Sequence, residues 1–137
     1  MLNKKLIFIF ISLSNPSFGE EDKNLIIMKN LQSEYANCAA YYHISSLCFS
    51  SEKDRKLREN LEGLSEISIK RAILIGKKIN MSSDAISSRL ELSINNINDI
   101  MNNNCINISS ILLRYGEKCK LSIDNPEKFI NEHIINK

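Results

Sequence analysis

The sequence of 137 residues is short of the residues that most recognised chemistries need: it has no tryptophan, two prolines, four glycines and two histidines. The glycines stand singly at 19, 63, 76 and 116, so there is no glycine-rich phosphate loop and no Gly-x-Ser-x-Gly turn for a nucleophilic serine. His43 and His133 lie ninety residues apart, His43 has no metal-ligating neighbour at a suitable step, and neither belongs to a His-Glu-x-x-His zinc motif. A calcium loop is absent, as is any Cys-x-x-Cys, which removes haem attachment and dithiol redox chemistry. No proline-rich or low-complexity linker divides the chain, and no segment alternates apolar and polar residues in the manner of a strand. What remains is a single helical domain without a recognised catalytic constellation or cofactor motif.

The first nineteen residues read as an export signal. Lys4 and Lys5 form a positive start, Leu6 to Leu13 an apolar core, and Asn15-Pro16 is expected to break any helix. Ser17-Phe18-Gly19 then puts small residues where signal peptidase reads, so cleavage is expected after Gly19. A membrane anchor is the competing reading, but eight helical residues span only about 12 Å of a hydrocarbon layer of about 30 Å. No cysteine follows the apolar core, so a lipoprotein is not indicated. Residues 20–137 form the expected mature domain, and its localisation is periplasmic or secreted.

Charge follows the same division. The chain carries 18 Lys and Arg against 16 Asp and Glu. Loss of Lys4 and Lys5 leaves 16 against 16, so the mature domain is formally neutral and its global charge gives no case for nucleic-acid binding. The richness in Asn, Ile and Lys looks like a low-GC coding background, so Asn102-Asn103-Asn104 is not read as a binding ladder.

Helical periodicity organises the rest. Leu25, Met28, Leu31, Tyr35, Cys38 and Tyr42 recur at three- and four-residue steps over 23–46, and Ala36, Ala39 and Ala40 let a neighbour approach closely. This is read as the innermost helix, with the tyrosines as core residues whose hydroxyls reach the boundary. A second helix is expected over 52–79, capped by Ser51, and a third from Ser82 or Ser83 to about Met101. A fourth begins at Asn107 or Ser109 and carries Ile111, Tyr115 and Cys119. Asn125-Pro126-Glu127 marks a short last helix with Phe129, Ile130, His133 and Ile134 inward. The expected fold is all-α, a disulfide-stapled bundle of four helices plus a short C-terminal helix.

Four cysteines, Cys38, Cys48, Cys105 and Cys119, leave none over in an exported chain, which implies two disulfides. Zinc fits less well, because the pairs are ten and fourteen residues apart rather than at the short spacing of structural zinc sites. Cys38 and Cys48 lie about 15 Å apart along one helix, beyond the reach of a disulfide of about 7 Å between Cα atoms, and Cys105 and Cys119 are similarly separated. Both bridges must therefore join the first helix to the fourth. In an up-down-up-down bundle these run antiparallel, which predicts Cys48–Cys105 and Cys38–Cys119.

Two resemblances bear on the fold. Cys38 and Cys48 match the Cys-x9-Cys spacing of the mitochondrial coiled-coil-helix proteins, whose helical hairpins are joined by two disulfides. Thirteen residues separate the second pair here, so the shared feature is geometry, not kinship. The Cys-Ala-Ala-Tyr-Tyr run at 38–42, Tyr-Gly-Glu-Lys-Cys at 115–119 and the Asn125-Pro126-Glu127 start resemble small exported helical proteins of bacteria and their phages. That resemblance implies a fold and a compartment, and no activity.

Among polar clusters, Lys70, Arg71, Lys77 and Lys78 could meet an anionic partner, although cations near a helix C-terminus also complement its dipole. Glu20-Glu21-Asp22 sits at the expected mature N-terminus, and Glu62 with Glu66 reads as solvated surface. Asn80-Met81-Ser82 and Asn107-Ile108-Ser109 match the N-glycosylation pattern, which matters only in a eukaryotic secretory pathway. The expected function is a non-catalytic interaction or binding module of the periplasm or envelope, with a protein partner. A carrier of a small apolar ligand is the alternative, and a small hydrolase comes third.

Overall fold

A computed structural model describes the backbone of residues 2–136 and the side chains of 19, 20 and 22–136. The side chains of the proposed signal segment, Lys4 and Lys5 and the apolar core included, lie outside the described residues. Five helices follow in order: α1 (Leu2–Cys48), α2 (Arg55–Lys78), α3 (Ser83–Ile100), α4 (Ile108–Asp124) and α5 (Pro126–Ile130). Single 3-10 turns at Glu52–Asp54 and Cys105–Asn107 lead into α2 and α4, and a π-helical turn, Asn131–Ile135, closes the chain. The fold is all-α. No helix among the described residues is long and apolar enough to cross a membrane.

Two expectations at helix starts need correcting. The backbone of α1 continues through Asn15-Pro16, where a break was expected. An internal proline removes one donor and strains the turn before it, which weakens a helix without always ending it. Ser51 precedes the turn into α2 but makes no cap bond to the backbone; its hydroxyl donates to the Asp54 carboxylate at 2.7 Å instead.

α1 is the hub. From Leu31 to Ser46 it is buried on nearly every side, with only Ser33, Asn37 and His43 reaching solvent to any extent. α2, α3 and α4 are arrayed around it and touch one another little. Hydrogen bonds fix their registers. The Ser65 hydroxyl donates to the Ala39 carbonyl at 2.9 Å and the Gln32 amide to the Ala72 carbonyl at 3.4 Å, so α2 runs antiparallel to α1. Arg89 to Ser33 and Ser93 to Asn37, each one turn apart, set α3 parallel to α1. Small residues make the α1–α2 seam close: Ala36, Ala39 and Ala40 face Ser65, Ser68 and Ala72, all nearly or fully buried. Where α2 meets the start of α3, a Cβ on Gly76 would lie 2.8 Å from Ile86, so only glycine fits there without a shift.

The disulfides join Cys38 to Cys119 and Cys48 to Cys105, each with Cα atoms 5.4 Å apart, and hold α4 antiparallel to α1. The first is fully buried; Cys105 of the second is exposed. Between them lies the larger core cluster, including Tyr41, Tyr42, Ile97, Met101, Ile111 and Tyr115. A second cluster, around Leu31, Tyr35, Ala72 and Phe129, seats the C-terminal helix. An ion pair between Lys118 and Glu34, 2.7 Å apart and largely shielded from solvent, adds a further α1–α4 link.

Asparagines end two of the helices. Asn80 at the end of α2 (φ 60°) and Asn102 at the end of α3 (φ 53°) occupy the left-handed region. Met81 N–H donates to the Gly76 carbonyl and Asn103 N–H to the Asn98 carbonyl, the long bond that closes a Schellman motif in each case. Ser82 caps α3 by accepting from Ala85 N–H, and Asn125 caps α5 by accepting from Lys128 N–H, both at 3.1 Å.

Candidate ligand recess at Tyr41 and Tyr42

The run Ala-Ala-Tyr-Tyr sits midway along the buried part of α1, where the two bridges fix α4 against it. Tyr41 and Tyr42 are 6% and 4% exposed, and their ring centroids lie 4.9 Å apart. Tyr41 also stacks on Tyr115 of α4 at 6.1 Å. Between α1, α2 and α4 these phenols line a half-open recess of about 420 Å³. α2 contributes Asn60 and Leu64, one turn apart, and one strip of α4 contributes Gly116, Lys120, Ile123 and Asp124. Gly116 lies beside Tyr41, whose hydroxyl would be in ordinary contact, at 3.4 Å, with a Cβ at that position.

Neither hydroxyl has a hydrogen-bond partner among the described residues. Both oxygens open onto the recess, where water or a ligand can meet them. The contrast within the molecule is sharp. Tyr35, equally buried, donates to the Ser122 carbonyl and receives a bond from Arg71, both at 3.4 Å. Burial pushes the Tyr41 phenol up from its ordinary value, and burial, with Tyr41 and Asp124 nearby, pushes Tyr42 up to about 12. Both therefore stay protonated at neutral pH and present O–H donors to the recess. Lys120 and Asp124, one turn apart on its rim, form no ion pair with each other or with another described residue.

The residues singled out in the sequence fall elsewhere. The basic cluster is not one patch: Lys70, Lys77 and Lys78 are exposed, but Arg71 turns inward. Its guanidinium donates to the Ser122 carbonyl at 2.7 Å and lies 5.5 Å from the Tyr35 ring centroid, tying α2 to α1 and α4. A helix-terminal cation with a carbonyl and a ring within reach gains more from them than from solvent. Glu62 and Glu66 are exposed, as is His43, while His133 is half-buried against Phe129. Glu20 and Asp22 are exposed, and the Glu21 side chain is not described. Of the two glycosylation sequons, Asn80 is exposed, whereas the Asn107 amide donates to the Met101 carbonyl at 2.8 Å. No group of three or more His, Cys, Asp or Glu among the described residues could hold a metal ion.

The tyrosines were legible as boundary residues, but their company in the recess was not. Asn60, Gly116, Lys120 and Asp124 come from two other helices, and their i, i+4 spacing on α4 is what any solvated helix shows. Compared with known proteins, the chain matches no family model, no curated protein and no solved structure.

Proposed function

We propose that this chain is an exported, non-catalytic binding module of the periplasm, cell envelope or extracellular space, and that it takes its partner at the Tyr41–Tyr42 recess. The observation that carries the reading is a pair of buried phenol rings whose hydroxyls open onto one recess and bond to no described residue, beside Lys120 and Asp124. Phenols held protonated donate hydrogen bonds and do not abstract protons, so the recess suits recognition better than general base catalysis. Two disulfides suit an oxidising compartment.

The apolar-carrier reading has weaker support. A more apolar recess, between α1, α2 and α3 beside Ala39, Ala40, Ile69 and Leu90, holds about 210 Å³. Sites for drug-sized ligands begin at about 300 Å³.

Two experiments test the proposal. Mature protein recovered from the source should begin at Glu20, and an intact Met1 on a cytoplasmic species would end the export reading. Native mass spectrometry of protein isolated from the envelope fraction should show a bound species, which the Tyr41→Phe/Tyr42→Phe variant loses while keeping its fold. Equal retention by that variant would refute the placement of the site.

A further inference from the structure

Resting on the recess as a binding site, we infer that its ligand is a small zwitterion of the amino-acid type: a carboxylate with a neighbouring ammonium group. Three features specify this chemistry. First, Tyr41 and Tyr42 bring two O–H donors to one recess, and neither is bonded to a described residue. A carboxylate can take the place of water on these donors, since it offers two oxygens, each able to accept more than one bond.

Second, Lys120 and Asp124 share one face of α4, line the same recess and are joined to no ion. An uncharged ligand would leave both charges unused. A simple anion would gain Lys120 but face repulsion from Asp124, and a simple cation would meet the reverse. A ligand with both charges pairs with both, through charge-assisted bonds about twice as strong as neutral ones.

Third, Asp124 contradicts its own helix. It is the last residue of α4, where the helix dipole favours a cation and disfavours a carboxylate. It also faces Tyr42 closely enough to oppose ionisation of the phenol. A local rule broken at the edge of a recess is the pattern of a residue kept for a ligand. The carboxylate of the ligand then sits toward Tyr41, Tyr42 and Lys120, and its ammonium group toward Asp124. The Asn60 amide, bonded to no described residue, lines the same recess from α2.

The test is a nitrogen-15 amide titration of the oxidised mature chain with free L-amino acids, together with N-acetyl-leucine and leucinamide. At least one free amino acid should shift the amides of Tyr42, Gly116 and Lys120. Blocking either charge should weaken binding at least ~10-fold, and Lys120→Met or Asp124→Asn, both at exposed positions, should do the same. The inference is overturned if no free amino acid shifts those amides at millimolar concentration, or if the two blocked forms bind as well as free leucine. If the titration fails while Tyr41→Phe/Tyr42→Phe still strips the bound species from protein isolated at source, the zwitterion is wrong and the recess stands. If the variant retains that species, both fall.

Discussion

Replacing Tyr42 with phenylalanine removes one oxygen from the centre of the molecule, and the account above says that this should not destabilise it. The ring keeps its place against Tyr41, and no protein hydrogen bond is lost. A fully enclosed hydroxyl without a partner costs about 1–3 kcal/mol by mutational measures, but this one opens onto the recess. Because the recess is half open, water recovers part of that cost. Tyr42→Phe should therefore be neutral or stabilising by up to about 1 kcal/mol. Tyr35→Phe is the internal control. It removes a bond to the Ser122 carbonyl and one from Arg71, both long at 3.4 Å, and should cost about 1–2 kcal/mol. Urea unfolding of the oxidised mature chains, with equal m values, measures both. A loss in Tyr42→Phe equal to or larger than that in Tyr35→Phe would mean that the Tyr42 hydroxyl is satisfied inside the fold, and the argument for the recess would fail.

Other outcomes follow from the same geometry. With Cys38–Cys119 in place, Cys48–Cys105 closes a path of about 24 residues, so its removal by paired Cys→Ser changes should cost about 3.5 kcal/mol in the chain-entropy account. Graded reduction followed by peptide mapping should open this bridge first, because Cys105 is exposed whereas Cys38 and Cys119 are fully buried. At Asn80, with φ of 60°, a change to glycine should be neutral or slightly stabilising, while valine should cost about 1–2 kcal/mol in thermal unfolding. The raised Tyr42 value also sets a pH dependence. The folded state holds this proton more tightly than the unfolded chain, so the contribution is complete below pH 10.0 and is lost as pH rises through about 12. Tyr42→Phe should flatten that part of the profile, measured without free thiol.

The sequence exposed the frame of this protein more readily than its surface. Helix length alone forbade Cys38 from reaching Cys48, and the antiparallel run of first and fourth helices left one pairing. The asparagine at 80 and the Asn102–Asn104 run ended helices as expected, although the Schellman bonds that fix them depend on backbone geometry. Serine hid the α1–α2 seam. Ser65 and Ser68 read as polar positions on α2 but are 4% and 0% exposed, because small side chains let α1 come close and the Ala39 carbonyl receives one of the hydroxyls. Arg71 misled in the opposite sense: its charge suggested surface, but a carbonyl and an aromatic ring on other helices draw it inward. The recess could not be read at all, since it depends on how three helices meet.

The most direct test of the central claim uses a photo-crosslinking residue placed at Asn60, which is exposed and lines the recess, and in a second protein at Asn96, exposed on α3. Both are expressed in the source cell, illuminated in place, purified and weighed intact. The account predicts a defined added mass at position 60, absent at position 96 and lost when Tyr41→Phe/Tyr42→Phe is introduced. The same adduct at both positions, or an adduct at 60 that survives the loss of both hydroxyls, would contradict it.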